Sequence, residues 1–239
     1  MKIAHDTRLV VITGSAGGIG EKIRDVFRAS GFYVIGVDLV LSSCDKDFVG
    51  DVRDKNLIES VIDFVASQNS SFLVLVNNAG VTIPNDDSLE AWEKTLGINL
   101  TAPFLWMSSF GNYFESSKSK GSIINITSLG AELAFPNNPA YLASKGGLKQ
   151  LTKSFALRLG PTGVTCNNVG PGYIETDFNS GSLNNPEAFK ERADRSMLNR
   201  WGSAGEIAAA VGFLASENAR FITGQDIYVD GGWLAKGFS

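Results

Sequence analysis

The sequence predicts an α/β domain built on one doubly wound parallel sheet of about seven strands flanked by helices. Three observations predict it. Short apolar, β-branched runs alternate with helical-period segments from Arg8 to Val229. Those runs are apolar throughout, as strands covered on both faces are. No repeat, linker or low-complexity tract interrupts the alternation, so residues 1–239 read as a single domain, long enough to bury a core as one unit.

The elements follow in order. Arg8–Thr13 (RLVVIT) reads as a buried strand, running into Gly14-Ser15-Ala16-Gly17-Gly18-Ile19-Gly20 and then a helix through Ile23, Val26 and Phe27. A glycine turn between a strand and a helix N-terminus presents N–H groups and a positive dipole end to a pyrophosphate. The spacing is G-x-x-x-G-x-G, not the commoner G-x-G-x-x-G. Phe32–Val37 is a second strand ending at Asp38, placed to bond an adenosine ribose. Its charge repels a 2′-phosphate, and no Arg or Lys stands just after it, so the reading is NAD rather than NADP.

A short strand from Phe48 to Asp51-Val52 precedes a helix through Leu57, Val61, Ile62 and Val65. Phe72–Val76 is again a continuous apolar strand, closing in Asn77-Asn78-Ala79-Gly80 at the carboxyl edge where such sheets bind ligands. A long helical region runs from Ser88 to about Ser117 with Asn99 in its middle, marking either a kink or a functional amide. Ser122–Thr127 is the next strand, with Ser128 just after it; a helix carries Tyr141 and Lys145 on through Leu148, Leu151, Phe155 and Leu159. Val164–Val169 leads to the rigid turn Pro171-Gly172. Residues 173–199 are small and polar with a helical piece after Pro186, which reads as a mobile lid. A helix over Gly205–Ser216 and a strand over Asp226–Val229 complete the chain before Asp230-Gly231-Gly232-Trp233.

Composition narrows the chemistry. The chain is 44% apolar and 19% charged with a net charge of -4 and no basic block, which argues against nucleic acid as partner. No apolar run reaches the roughly 18 residues a membrane span needs, and Met1–Arg8 lacks the apolar core of a signal peptide. Cys44 and Cys166 make no disulfide framework or paired metal spacing, and a cytoplasmic location is expected. His5 is the only histidine, near the N-terminus, so Ser-His-Asp and Cys-His hydrolases and His-ligated zinc are disfavoured and no metal is expected. Acid–base chemistry must then come from Tyr, Lys or carboxylates.

Tyr141 and Lys145 supply it. Four residues apart on a helix, they lie on one face. A unit charge about 5 Å from a phenol, at an effective dielectric near 20, is worth about 3 kcal/mol and would lower its pKa by about two units. Such a phenol could exchange a proton with an alcohol or ketone.

Together these residues resemble the short-chain dehydrogenase/reductase family over essentially the whole chain. Thr13-Gly14 through Gly20 is similar to its glycine motif, and Asn77–Gly80 to its Asn-Asn-Ala-Gly motif. Asn99, Ser128, Tyr141 and Lys145 follow the order of its catalytic tetrad, and Pro171-Gly172 with Thr176 its nicotinamide segment. The resemblance implies a Rossmann-like fold and an NAD(H)-dependent oxidoreductase interconverting a secondary alcohol and a ketone. Tyr141 would be the general acid/base, Lys145 would lower its pKa and bond the nicotinamide ribose, Ser128 would hold the substrate oxygen, and Asn99 would anchor a water leading to Lys145. Coenzyme contacts would come from Gly14, Ser15, Gly18, Ile19 and Gly20; from Asp38, Leu39, Asp51 and Val52; from Asn78, Ala79 and Gly80; and from Tyr141, Lys145, Pro171, Gly172, Ile174 and Thr176. Substrate would meet Ser128, Gly130, Tyr141, Tyr173 and Phe178, with Leu129 and Ala131 nearby. Two departures are Gly170 before Pro171 and Ala204-Gly205 where proline is common. The family also implies a homodimer or homotetramer, compatible with the apolar stretches 104–110 and 148–159. Two alternatives remain: a 3-oxoacyl-carrier-protein reductase, which usually prefers NADPH, and a catalytically silent NAD-binding regulator.

Overall fold

A computed structural model describes residues 7–68 and 70–237. His5 and the expectations for Met1–Asp6 lie outside the described residues. Seven strands form one parallel sheet: β1 (Leu9–Thr13), β2 (Tyr33–Asp38), β3 (Lys46–Val49), β4 (Phe72–Asn77), β5 (Lys120–Ile126), β6 (Thr165–Pro171) and β7 (Asp226–Val229). Their order is β3-β2-β1-β4-β5-β6-β7, every pair parallel. The chain winds outward from β1 to β3 and then crosses to β4, leaving a crevice outside the carboxyl ends of β1 and β4.

The helices are α1 (Gly18–Ala29), α2 (Lys55–Gln68), α3 (Leu89–Leu96), α4 (Ala102–Ser117), α5 (Pro139–Leu159), α6 (Ser180–Leu183), α7 (Pro186–Arg195) and α8 (Ala204–Leu214). Alternate residues of the strands feed two cores. Leu9, Val11, Leu73, Leu75 and Ile123 pack with Trp106 and Phe110 of α4 and Phe155 of α5. Val10, Ile12, Val74 and Ile124 pack with Ile23 and Phe27 of α1 and Val211 of α8. That two-sided burial is why β1 and β4 carry no polar residue until their last position.

At the carboxyl end the register aligns Thr13 with Asn77, Asn77 with Asn125, Asn125 with Asn168 and Asn168 with Asp226. Their side chains are linked rather than left bare. Asn77 donates to Asn125 (2.8 Å), Asn125 and Asn168 meet through the Thr152 hydroxyl of α5, and Asn168 donates to Asp226 (2.7 Å). This polar rung, linked throughout except at the Asn77 amide oxygen, which is buried without a partner, is the floor on which the crevice is built.

Two expectations need correction. The third strand stops at Val49 instead of reaching Asp51-Val52, because the Asp51 carboxylate accepts the Arg53 N–H (2.9 Å) and folds the chain into a turn. The 88–117 helix is not continuous: residues Gly97–Thr101 form a wide π turn in which the Ala102 N–H reaches back five residues to Gly97. Pro103 has no N–H to give the carbonyl of Asn99 four residues upstream, so the ladder has to be relaid there.

Candidate active site

The glycine turn is shaped by contact and by backbone. A Cβ on Gly20 would lie 1.9 Å from the Gly14 carbonyl oxygen, and one on Gly14 would lie 2.8 Å from Ala79 Cα. Gly18 is different: its φ is +56° and its nearest neighbour in that direction is the Thr176 methyl at 3.7 Å. Gly17 at the start of α1 offers no side-chain cap, so the first-turn N–H groups stay available to an anion. Such a cradle fits a dinucleotide pyrophosphate. Gly20→Ala should therefore abolish coenzyme binding, read as loss of NADH fluorescence enhancement, because its Cβ would displace the Gly14 carbonyl that shapes the turn.

Several residues expected at the coenzyme serve the turn itself. Asn78 donates its side-chain amide to the carbonyls of Thr13 (3.1 Å) and Gly14 (2.8 Å). The Thr13 hydroxyl accepts the N–H groups of Asn78 and Ala79. Ser15 is buried and donates to Ser42 (2.8 Å), so only its backbone faces the crevice. Asp38 accepts the Ala16 N–H (2.9 Å) on one oxygen and the Leu39 N–H (2.7 Å) on the other, which fixes the carboxylate beside the glycine turn with a lone pair left on each. Leu39 itself is 70% exposed. Asp51 is paired with Arg53 at 2.6 Å, and that guanidinium holds its carboxyl below the usual range. Val52 is buried in the core, its carbonyl accepting the indole N–H of Trp106 (2.9 Å).

After β6, Gly172 is required by packing, since a Cβ there would meet Asp230 Cα at 2.8 Å. The Ile174 side chain is buried and its Cδ1 lies over Gly202, whereas Thr176 spans the crevice to Gly18. Gly170, the departure noted above, makes room for the Tyr228 ring, 2.4 Å from where its Cβ would be. Ala204-Gly205 needs no proline because Ser203 and Glu206 form a reciprocal capping box at the start of α8.

Asn99, Ser128, Tyr141 and Lys145 converge. A Cβ on Gly80 would lie 3.4 Å from Asn99 Oδ1 and 3.7 Å from Lys145 Nζ. Asn99 accepts the Val81 N–H and donates to the Val81 carbonyl, both at 2.8 Å, and reaches Ser144 on α5 at 3.2 Å. It is thus both the kink and a positioned amide. Ser128 caps a short 3-10 turn by accepting the Gly130 N–H (3.0 Å), and its hydroxyl lies beside the Tyr141 ring, the two 3.5 and 3.4 Å from where a Gly130 Cβ would be. Lys145 is only 4% exposed; it donates to the Ile126 carbonyl (2.8 Å) and its Nζ stands 5.6 Å from the Tyr141 ring centroid.

The electrostatics differ from the expectation that the amine depresses the phenol. Burial pushes the Tyr141 phenol up, opposed by the Ser128 hydrogen bond and reinforced by Tyr173. Burial also brings the Lys145 amine down to about 8. With its ammonium aimed at Ile126 and costly to keep charged, Lys145 does not offset the desolvation of the phenol.

The segment 173–199 is covered and anchored more than its polar composition suggests. Phe178 lies 6.2 Å from the Tyr141 ring. Phe189 stacks on Trp201 (5.2 Å), and Tyr173 packs against both Trp201 (5.2 Å) and Trp233 (5.3 Å). The Met197 N–H donates to Gly231 (2.8 Å), tying this segment to the C-terminal turn. Sequence reasoning missed Trp201, Trp233 and Arg192, although the aromatics flanking a polar stretch were the available signal. Among the described residues no cluster of three His, Cys, Asp or Glu side chains could hold a metal ion.

Known proteins agree with this geometry. Residues 14–234 match the family model described as enoyl-(acyl carrier protein) reductase. The short-chain dehydrogenase/reductase eriH of Hericium erinaceus is 33% identical over 95% of this chain and 97% of its own. Among solved structures, 4-hydroxyisoleucine dehydrogenase complexed with NADH superposes with a TM-score of 0.90 at 28% identity, covering 97% of this chain and all (100%) of the other. A Beutenbergia cavernae chain, provisionally assigned as an NAD(P)-dependent gluconate 5-dehydrogenase with NADP bound at low occupancy, gives 0.90 at 29% identity, covering 97% and 98%. The chain belongs to the short-chain dehydrogenase/reductase family, as an NAD(P)-dependent oxidoreductase that interconverts alcohols and ketones.

Proposed function

We propose that Tyr141 is the general acid/base of this oxidoreductase, that Ser128 and Tyr141 together bind the substrate oxygen, and that NAD is the preferred coenzyme. The observation that carries the reading is the meeting of Asn99 and Lys145 at Gly80, next to the glycine cradle, and of Ser128 and Tyr141 at Gly130, with the Lys145 amine 5.6 Å from the Tyr141 ring centroid. A bound nicotinamide supplies hydride chemistry. The chain's own residues supply the proton: the Ser128 hydroxyl and the Tyr141 phenol, brought together at Gly130, form a two-donor seat for a carbonyl oxygen. Lys145, its amine at about 8 and so still protonated at neutral pH, stabilises the ionised phenol. Asn99 holds the π turn against Val81 and Ser144, and its carbonyl, deprived of an α-helical donor by Pro103, suits a water leading toward Lys145. The 173–199 segment closes over Tyr141 through Phe178 as a lid, and Gly130 and Tyr173 complete the substrate side.

Asp38 supports NAD, since a fixed carboxylate repels a 2′-phosphate. Arg24 and Arg28 of α1 approach the same loop but spend their donors on the carbonyls of Ser42 (2.5 Å) and Ser43 (2.8 Å). Initial rates with NADH and NADPH test this. NADH should give a kcat/KM at least about tenfold higher, and Asp38→Ala should narrow that ratio; a wild-type preference for NADPH contradicts it. The same result separates this reading from a carrier-protein reductase. Self-association through α4 and α5 is supported by Phe104 and Leu157, which are 46% and 83% exposed. The unpaired Cys44 and Cys166 are compatible with a cytoplasmic location.

A further inference from the structure

Beside the lid lies a cavity of about 230 Å³, walled by α7, the 196–202 loop and the C-terminal turn. Its charged lining residues are Arg192, Arg200, Glu206 and Asp230, with Tyr173 and Trp233 as aromatic walls. Three of the four charges are spoken for. Arg200 forks onto Glu206 (2.6 and 3.1 Å), which also accepts the Ser203 N–H (2.7 Å). Asp230 accepts the N–H groups of Gly232 and Leu234, one on each oxygen, both at 2.8 Å.

Arg192 is the exception. Its Nε is buried without any hydrogen-bond partner. Its Nη1 makes only long contacts, 3.4 Å to the Ala188 carbonyl and 3.5 Å to a Glu191 carboxylate that is 60% exposed. The guanidinium is 26% exposed and sits 5.0 Å from the Tyr173 ring centroid. A half-buried guanidinium without a good acceptor is an expensive arrangement unless something else supplies one. Tyr173 lines this cavity, and the segment it opens reaches the reaction centre through Phe178, 6.2 Å from the Tyr141 ring.

We propose that Arg192 binds a carboxylate on the substrate, so that the alcohol oxidised here is a hydroxy acid rather than a neutral sugar or polyol. This rests on the alcohol–ketone reading of the Tyr141 site and adds the substrate class to it. A guanidinium matches the planar, two-oxygen geometry of a carboxylate. The cavity favours a monoanion over a phosphate, since only one cation is uncompensated and Asp230 and Glu206 already contribute negative charge. Arg192 selects the substrate and takes no part in the proton transfer.

The test titrates the NADH-saturated protein calorimetrically with gluconate, 3-hydroxybutyrate and lactate, and with glucose and 2-butanol as neutral probes. At least one acid is expected to bind, and Arg192→Gln should lower the ratio of acid to neutral affinity at least about tenfold, with Arg192→Lys falling between. A melting temperature for each variant close to that of the parent shows that the lid stays folded. Acids that bind both proteins equally, or that do not bind at all, overturn the Arg192 assignment. Tyr141-dependent turnover of a neutral alcohol without acid binding would leave the enzyme reading standing alone. No turnover of any alcohol with either coenzyme would remove that reading instead.

Discussion

Replacing Tyr141 with Phe should lower kcat by about a thousandfold or more while leaving NADH affinity within about a factor of two. Positioned acid–base groups typically contribute 10²–10⁴ in rate, roughly 3–5 kcal/mol of barrier. Phe preserves the ring that packs near Phe178 and removes only the hydroxyl on the Ser128 side of the site. Coenzyme fluorescence titration separates the two effects. Turnover that survives the substitution removes the phenol from the proton path, and joint loss of binding and turnover would mean that the ring holds the site together.

Lys145→Met should abolish activity and yet stabilise the coenzyme-free protein. An amine held at about 8 instead of its ordinary 10.5 binds fewer protons folded than unfolded between those two pH values. The folded state therefore carries a penalty of about 3 kcal/mol that is fully present below pH 8 and fades as pH rises to 10.5. Methionine fills similar volume without charge, at the cost of the hydrogen bond to Ile126. The net gain at pH 7 should be about 1–2 kcal/mol, or several degrees in melting temperature for a chain of this size, shrinking as pH rises from 8 to 10.5. A variant less stable than its parent at neutral pH, with no pH dependence in the difference, would show that the buried lysine is not strained. The trade reflects a site arranged for chemistry, with stability supplied by the sheet around it.

Much of this was legible in the residues because local signals and global fold agree. The apolar strands had to be buried on both faces, and glycines at a strand-to-helix turn admit few uses. What the sequence could not show was how shared groups divide their bonds. Asn78 has the composition of a coenzyme contact but spends its amide on Thr13 and Gly14. Asn99 posed a choice between kink and amide that dissolves once Pro103 is seen to force the π turn beneath it. The third strand was drawn too long because Asp51 looks like a strand end until its carboxylate is seen folding Arg53 back. Residues 173–199 read as loose because small polar residues dominate them, and the ring contacts of Phe189, Trp201, Tyr173 and Trp233, residues far apart in sequence, were not visible in that composition. Most consequential is the sign at Tyr141. Helical spacing places an amine beside a phenol, but desolvation, which depends on everything packed around both, decides which way each pKa moves.

Titrating the phenolate absorbance near 295 nm in the presence of saturating NAD tests the central claim most directly, with the parent protein, Tyr141→Phe and Lys145→Met compared. One tyrosine of the parent should ionise well below pH 10 when NAD is bound, and that step should vanish in Tyr141→Phe and move upward in Lys145→Met. Tyrosines that all titrate at or above 10 in every case, or a low step that persists without Tyr141, would contradict it.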